Sequence, residues 1–277
     1  MFKQCAFLII MRYTVFFICF FMVACSQSKL SLESRLSGAT EVRHLLLAGE
    51  GFSLSSAEHI ESGEHALVFI EGDGRPWVSG GRQISDDPTP YKTPVLYQFL
   101  RAEMTGFQGS RLYLGRPCYF GAGPEELCHP ALWSFSRYSE KVVNAMSEGL
   151  KSWLSQNTHI RYVTLIGHSG GGVLAMLIAE KVSSVRQVVT YAAPFDIDLW
   201  SQHHGHTPLF DSLNPAELNV WRDNVRRTLV FGEDDDEVPA ELFVGLLSQI
   251  PDVVWKIHPK ATHSLPQHFP WYWLSAQ

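Results

Sequence analysis

The feature that most constrains the fold of this chain is a single serine in a glycine-rich turn. Residues 162–179 read YVTLIGHSGGGVLAMLIA, in which an apolar, β-branched run precedes the turn and a run rich in Ala, Leu and Met follows it. The first run favours a buried strand and the second a buried helix. Ser169 therefore lies at a predicted strand-to-helix turn, where Gly167 and Gly171 complete the pattern G-x-S-x-G.

A serine at such a turn has a chemical use. The backbone must bend sharply, and glycine on either side of Ser169 removes clashes with the helix and the adjacent strand. The hydroxyl then stands above the carboxyl edge of the sheet, where the N–H of Gly170 and the helix dipole can stabilise a developing negative charge. The alternative interpretation of these residues is a glycine-rich turn before an ordinary helix.

An acidic loop follows a predicted strand further along the chain. Residues 232–239 read GEDDDEVP after the apolar run TLVF. The loop resembles the G-x-x-D-x-x-V-P loop that carries the acid in α/β-hydrolases, and the resemblance implies that Asp235 is the acid. Asp234 and Asp236 are alternatives within the loop, and Asp196 is a less favoured one elsewhere. A solvated acidic loop would explain the same run without catalysis.

A histidine follows the last predicted strand. Folds of this kind carry their catalytic base there, so the resemblance implies that His263 is the base, with His258 and His268 as alternatives. The chain order Ser169, Asp235, His263 is the α/β-hydrolase order. Acyl transfer needs all three, because the histidine takes the serine proton while the aspartate orients the imidazole and stabilises its cation.

A second glycine-containing loop, Glu71-Gly72-Asp73-Gly74, follows a strand predicted at residues 65–70. It occupies the place of the His-Gly-Gly-Gly motif of esterases and lipases, whose backbone N–H groups bind the oxyanion. The resemblance implies that Gly72 or Asp73 supplies one N–H donor and Gly170 the second. The chain departs from the motif at Glu71 and Asp73, and a plain turn is the alternative interpretation.

Predicted strands and helices alternate over most of the chain. Strands are expected at residues 42–48, 52–60, 65–70, 110–114, 162–166, 187–192, 226–232 and 253–258, and helices at 93–104, 138–154, 173–179, 239–248 and about 265–274. This alternation predicts the α/β class, with a mostly parallel sheet and helices on both faces. Together with the motifs, it makes residues 40–277 resemble one domain of the α/β-hydrolase fold.

The resemblance to serine hydrolases of this fold implies cleavage of an ester or a related acyl bond through an acyl-enzyme. It implies a small-molecule acyl substrate, with no cofactor and no metal. Three alternatives stay open: a peptidase with the same triad, a thioesterase with the same triad, and a non-catalytic envelope lipoprotein that keeps the fold as a binding module. The fold hosts many chemistries, so the resemblance does not identify the acyl group.

The N-terminal residues predict export. Residues 13–24, YTVFFICFFMVA, form an apolar run that is short for a membrane span but fits the hydrophobic region of a secretory signal. The signal starts at Met1 or at Met11. Its end, Met22-Val23-Ala24-Cys25, resembles a bacterial lipobox, although leucine is usual in place of methionine. The resemblance implies that residues 1–25 are a signal peptide and that Cys25 is lipidated.

Lipidation at Cys25 would anchor the domain to a membrane by acyl chains, without a spanning helix. Ser26 after the cysteine points to the outer membrane. The prediction is an outer-membrane lipoprotein of the bacterial cell envelope that faces the periplasm, with residues 26–39 as a tether. An uncleaved N-terminal anchor is the alternative.

Two cysteines, Cys118 and Cys128, remain in the body of the chain. A close pair in an exported protein predicts a disulfide, and two free buried thiols are the alternative. A metal site is disfavoured there because His129 is the one nearby partner. The run His203-His204-Gly205-His206 matches no familiar metal-site spacing either.

The charge of the chain argues against one class of partner. The formal net charge is -6, and the basic residues form no stripe. Proteins that bind nucleic acid usually present a basic surface, so the sequence predicts no nucleic-acid partner.

Overall fold

The computed structural model describes residues 31–124 and 126–266. The strands of these residues, in chain order, are β1 Arg43–Gly49, β2 Phe52–His59, β3 His65–Ile70, β4 Trp77–Val78, β5 Gln83–Ile84, β6 Ser110–Tyr113, β7 Tyr162–His168, β8 Val185–Tyr191, β9 Arg226–Gly232 and β10 Val253–His258. The α-helices are α1 Leu32–Arg35, α2 Pro94–Arg101, α3 Glu140–Gln156, α4 Gly170–Ala179 and α5 Ile197–His203.

Eight of the described strands form one sheet in the order β1-β2-β6-β3-β7-β8-β9-β10. The pairs β1–β2 and β2–β6 are antiparallel, and the pairs from β6 to β10 are parallel. Every residue of β3 after His65 and of β7 after Tyr162 is buried. Successive side chains of a strand point to opposite faces, so both faces of the sheet centre are covered. The predicted α/β class and mostly parallel sheet are confirmed.

Helix α3, the longest described helix, corresponds to the helix predicted at residues 138–154, and its sequence is amphipathic. Its buried face includes Val143, Met146, Leu150 and Trp153, which recur at helical spacing. The Ser139 side chain accepts a hydrogen bond from a first-turn N–H and caps the helix. Helix α3 packs against β1, β2 and α4, and α4 in turn packs against β3, β7 and β8 behind the serine turn.

The second half of the predicted tether belongs to the folded domain. Helix α1 lies within residues 26–39, and its Leu32 is fully buried, as Leu36 nearly is. The Arg35 guanidinium donates a hydrogen bond of 2.6 Å to the carbonyl oxygen of Pro90. Two leucines four residues apart reach the core together, because they lie on one side of a helical turn.

The prediction of a helix at residues 239–248 is wrong. The structure has two short 3-10 turns there, Ala240–Leu242 and Leu247–Gln249. Phe243 and Leu247 are buried four residues apart, which imitates helical spacing. Gly245 lies between them, and glycine inside a helix costs about 1 kcal/mol relative to alanine.

Several predicted features lie outside the described residues. They are the signal peptide, Cys25, the first residues of the tether, His268, and the helix near residues 265–274 beyond Leu265 and Pro266, which are not helical. The segment 194–224, which has no predicted element, contains α5. No helix in the described ranges is long and apolar enough to cross a membrane.

The predicted disulfide joins Cys118 and Cys128, whose Cα atoms are 5.6 Å apart. A covalent link between residues ten apart in sequence restricts the unfolded chain. We expect the double variant Cys118→Ser/Cys128→Ser to lose about 2–3 kcal/mol of unfolding free energy in a urea titration. Wild type in dithiothreitol should approach the same value, and equal stability of oxidised wild type and double variant would contradict this expectation.

Candidate active site

The serine turn adopts the strained conformation that its glycines predict. Strand β7 ends at His168, α4 begins at Gly170, and Ser169 between them has a φ of 52°. This left-handed conformation is unfavourable for a residue with a side chain. A Cβ on Gly167 would collide with the carbonyl oxygen of Gly171, and a Cβ on Gly171 would collide with the backbone at the end of β3. The turn therefore closes only with glycine at both places.

Three side chains meet at this turn. The Nε2 atom of His263 lies 3.1 Å from the Oγ atom of Ser169, and the Nδ1 atom of His263 lies 3.2 Å from an Oδ atom of Asp235. Each residue follows the carboxyl end of a parallel strand: β7 for the serine, β9 for the aspartate and β10 for the histidine. These ends share one edge of the sheet, which is where open α/β sheets bind their ligands.

Asp235 is 4% exposed and fully engaged in hydrogen bonds. One of its carboxylate oxygens accepts the N–H groups of Glu237 and Val238 at 3.0 and 2.9 Å, and the other faces His263. Burial by itself would raise the pKa of this carboxyl, but the hydrogen bonds from His263 and the backbone outweigh burial. The pKa of Asp235 is therefore below its ordinary value, and the group is a carboxylate at neutral pH.

The alternative acids and bases lie elsewhere. Asp234 and Asp236 are exposed. Asp196 caps α5 by accepting the N–H groups of the first helical turn. The Nδ1 atom of His258 lies 3.2 Å from the carbonyl oxygen of the next residue. Among the described alternatives, the structure brings only Asp235 and His263 to Ser169.

His168, the variable residue of the serine pattern, supports the histidine loop. Its Nε2–H donates a hydrogen bond of 2.8 Å to the carbonyl oxygen of His263, and the two rings lie 5.2 Å apart. Burial lowers the pKa of His168 to about 4, so the imidazole is neutral at neutral pH. The sequence does not predict this contact, because nothing in G-x-S-x-G indicates where the variable side chain lies.

The loop after β3 narrows the choice of oxyanion donors. The N–H of Gly72 donates to the Glu71 carboxyl over 3.4 Å, so it is already engaged. Among the described residues, the N–H groups of Asp73 and Gly170 have no hydrogen-bond acceptor. Asp73 and Gly170 therefore fit the role of a donor pair better than Gly72 does.

The Asp73 side chain belongs to a buried ionic cluster, which we call the Asp73 cluster. Its members are Asp73, Arg116, Tyr119, Arg137 and Tyr138. The two arginines bind the two carboxylate oxygens at 2.8 Å each. The Tyr138 hydroxyl donates to the carboxylate at 2.6 Å, and the Tyr119 hydroxyl donates to the Asp73 carbonyl oxygen at 2.8 Å. A Cβ on Gly170 would collide with the Asp73 carboxylate, so the cluster lies directly against the serine turn.

The cluster keeps its charges. Burial alone would raise the pKa of Asp73, but Arg137 and Arg116 hold the pKa of this carboxyl well below its usual range. Burial alone would lower the pKa of Arg137, and the charge of Asp73 raises it. Two guanidinium groups thus surround one carboxylate, and the cluster carries a net charge of +1.

Glu71, the first residue of the loop after β3, has a buried carboxyl group whose pKa shifts in the opposite direction to that of Asp73. Its oxygens accept the N–H groups of Gly72 and Leu96 at 3.4 and 3.3 Å. Burial raises the pKa of Glu71 to about 7, and these hydrogen bonds offset only part of the rise. The folded protein therefore holds this proton more tightly than the unfolded chain, whose carboxyl has an ordinary pKa of 4.5.

This difference predicts a pH-dependent stability. The stability contributed by Glu71 is present below pH 4.5 and is lost as the pH rises towards 7. We expect Glu71→Gln to gain about 3 kcal/mol of unfolding free energy relative to wild type between pH 4.5 and pH 8 in urea titrations. The titration of His168 also changes the stability with pH, in the opposite direction. Because His168 is present in both proteins, the difference in unfolding free energy between them reports Glu71 alone. A difference that is constant with pH would contradict this expectation.

Two cavities flank Ser169. The first, the aromatic cavity, has a volume of about 440 Å³, and its walls include Trp77, Phe135, Arg137, Tyr138, Trp200 and Leu209. The second, the histidine groove, is wider, about 790 Å³, and its walls include Gly72, Pro94, Tyr97, His168, His263 and Leu265. In the described part of the chain, Ser169 and Asp73 line both cavities, whereas His263 lines only the groove.

The histidine run beside α5 contributes to a cavity wall. His206 lines the aromatic cavity, and its ring stacks on His204 at 5.4 Å. The His204 side chain hydrogen-bonds the carbonyl oxygen of Glu237 at 2.8 Å. These contacts tie the segment after α5 to the acid loop. Within the described ranges, the one group of side chains close enough to surround a metal ion is Glu41, His59 and Glu103, outside the histidine run.

Comparisons with known proteins agree with the architecture. Residues 133–238 match the family model of the PGAP1-like alpha/beta domain. An esterase of Pyrococcus furiosus superposes with a TM-score of 0.57 at 16% identity, over 80% of this chain and 82% of the esterase. A predicted CIB-like hydrolase of Thermoplasma acidophilum gives a TM-score of 0.54 at 13% identity, over 84% and 94%. No curated protein sequence matches the chain.

A peptidase has the same architecture. The acylaminoacyl peptidase of Pyrococcus horikoshii superposes with a TM-score of 0.55 at 13% identity, over 80% of this chain and 37% of the peptidase. Similarities at these identities establish the fold and leave the substrate open. The chain has the α/β-hydrolase fold.

Proposed function

We propose that this protein is a serine hydrolase that cleaves an ester through an acyl-enzyme. Ser169 is the nucleophile, His263 is the general base and then the general acid, and Asp235 orients the imidazole. The observation that carries the proposal is the continuous chain of contacts, 3.1 and 3.2 Å long, from the serine hydroxyl through the imidazole to a buried carboxylate.

The geometry supports a complete reaction cycle. His263 Nε2 takes the Ser169 proton as Oγ attacks the substrate carbonyl carbon, and the carboxylate of Asp235 stabilises the imidazolium. The N–H groups of Asp73 and Gly170 stabilise the oxyanion. The imidazolium then gives its proton to the leaving alcohol, and the acyl group stays on the serine. Water, activated by His263, repeats the sequence and releases the acid.

The position of His263 supports an assignment of the two cavities. The leaving group receives its proton from the imidazole, so it must lie on the side that the imidazole lines. That side is the histidine groove. The acyl group then occupies the aromatic cavity on the other side of Ser169, where tryptophan and phenylalanine rings supply apolar surface.

The proposal is tested with one acyl chain on three leaving groups. Purified wild type and Ser169→Ala would be assayed with a hexanoyl ester, a hexanoyl thioester and a hexanoyl anilide, each rate being divided by its uncatalysed rate. We expect the largest ratio for the ester and loss of turnover in the variant. A larger ratio for the thioester or the anilide would replace the ester assignment, and no turnover by folded wild type would favour a binding module.

We also propose that the domain is a lipoprotein of the bacterial outer membrane that faces the periplasm, anchored at Cys25. The lipobox-like residues before Cys25 support this proposal, and so does a disulfide pair, which is typical of oxidising compartments. Expressed with its signal in a bacterium, wild type should fractionate with outer membranes, and Cys25→Ser should lose the acyl chains and leave that fraction. Cys19→Ser is the matched control, and equal behaviour of the two variants would contradict lipidation at Cys25.

A further inference from the structure

The aromatic cavity contains one feature that ester cleavage itself does not require, which is a buried arginine in its wall. Arg137 is only 6% exposed. Its Nε–H donates to the carbonyl oxygen of Ser134 at 2.6 Å, and its Nη1 binds the Asp73 carboxylate at 2.8 Å. Within the described residues its Nη2 has no hydrogen-bond acceptor, and Arg137 is one of the residues that line the cavity, together with Trp77 and Phe135.

The charge of the cavity wall is not balanced. Arg116 and Arg137 face a single carboxylate, that of Asp73, so one positive charge remains close to the cavity. Glu237 is the other acidic residue of the wall, and it is exposed to solvent. A buried charge is costly unless an opposite charge or a hydrogen-bond acceptor reaches it. An anionic group inside the cavity would supply both.

We propose that the acyl group of the natural substrate carries an anionic group, such as a carboxylate, which accepts a hydrogen bond from Nη2 of Arg137. This inference rests on the proposed function, because it takes the acyl side of the ester to be the aromatic cavity. The substrate class is then an ester whose acyl chain ends in a negative charge, and Arg137 is the residue that selects it. The apolar rings of the cavity wall would hold the carbon chain between the ester carbonyl and the anion.

The test compares two esters that differ only at the end of the acyl chain, which is a carboxylate in one and a methyl group in the other. Mono-p-nitrophenyl adipate and p-nitrophenyl hexanoate have the same leaving group and the same six-carbon acyl chain. The readout is the ratio of their kcat/KM values, corrected for spontaneous hydrolysis. General damage to the active site lowers both values and leaves the ratio unchanged. A charge-assisted hydrogen bond predicts a wild-type ratio of about tenfold or more in favour of the adipate ester.

Three variants locate the effect. Arg137→Gln removes the charge and should bring the ratio close to one. Arg137→Lys keeps a positive charge and should retain part of the preference. Arg116→Gln is the matched control, because Arg116 binds the same carboxylate but does not line the cavity among the described residues. It also removes one positive charge from the cluster but leaves Nη2 of Arg137 in place, so it should lower both kcat/KM values and reduce their ratio much less than Arg137→Gln does.

Two results would overturn this inference without touching the proposed function. One is turnover of both esters by wild type with a ratio near one. The other is an equal change of the ratio in Arg137→Gln and Arg116→Gln, which would assign the preference to the cluster as a whole. Failure of the proposed function looks different: folded wild type would hydrolyse neither ester, and a fluorophosphonate probe would not label Ser169.

Discussion

Replacing Asp235 with asparagine is expected to lower kcat for ester hydrolysis by about 10⁴-fold. The amide keeps the shape of the side chain but cannot stabilise the imidazolium, and it favours the wrong tautomer of His263. The contact that the substitution changes is the 3.2 Å hydrogen bond between His263 Nδ1 and an Asp235 oxygen. The measurement is steady-state hydrolysis of p-nitrophenyl hexanoate by wild type and variant, with Ser169→Ala as the background.

The neighbouring aspartates provide matched controls for this variant. Asp234 and Asp236 belong to the same acidic run, and both are exposed to solvent. Asp234→Asn and Asp236→Asn each remove one negative charge within one residue of Asp235, so they reproduce any general change in local charge. We expect kcat to stay within about twofold of wild type in both, as for surface substitutions away from special features. A large loss of kcat in either control, with normal activity in Asp235→Asn, would identify the residue replaced in that control as the acid.

Removing the carboxylate of the Asp73 cluster is expected to cost about 3–5 kcal/mol of unfolding free energy. In Asp73→Ala, Arg116 and Arg137 lose the oxygens that they bind at 2.8 Å, and two like charges remain close together in a buried site. Tyr138 loses the acceptor of its 2.6 Å hydrogen bond as well. The measurement is the midpoint and slope of urea unfolding at pH 7.

Asp73→Asn separates charge from shape in the same experiment. The amide oxygen can still accept one hydrogen bond, but the negative charge between the arginines is gone. We therefore expect a smaller loss than for alanine. Below about pH 4 the gap between wild type and asparagine variant should narrow, because the stability supplied by a carboxyl with a lowered pKa disappears as it is protonated. Equal stability of wild type and Asp73→Ala at pH 7 would show that the cluster adds nothing to the fold.

The sequence could predict the parts of the site that depend on local pattern. Ser169 lies where an apolar strand gives way to a helix, and its glycines are required by contacts within the turn and with β3. Asp235 and His263 follow two further strands at predictable places. Parallel strands end at one edge of the sheet, so the predicted strands place all three residues there, and the resemblance to α/β-hydrolases is what selects Asp235 and His263.

The Asp73 cluster could not be predicted in the same way. Asp73 lies after β3, Arg116 after β6 and Arg137 just before α3, and no periodicity or spacing connects them. Their pairing depends on the lateral order of the strands, in which β6 lies beside β3. The sequence predicts Asp73 only as a backbone donor and indicates neither the place of Arg137 nor the burial of Glu71. The helix expected at residues 239–248 failed for a related reason, since buried apolar residues four apart occur in irregular loops as well as in helices.

The proposed mechanism requires Ser169 to be an activated nucleophile. The most direct test is labelling of the purified protein by a fluorophosphonate probe, with the modified peptide identified by mass spectrometry. We expect one probe per chain on Ser169 in wild type, no label in Ser169→Ala, and strongly slowed labelling in His263→Ala. Absence of labelling in wild type that is folded by circular dichroism, or labelling at the same rate in His263→Ala, would contradict the proposed mechanism.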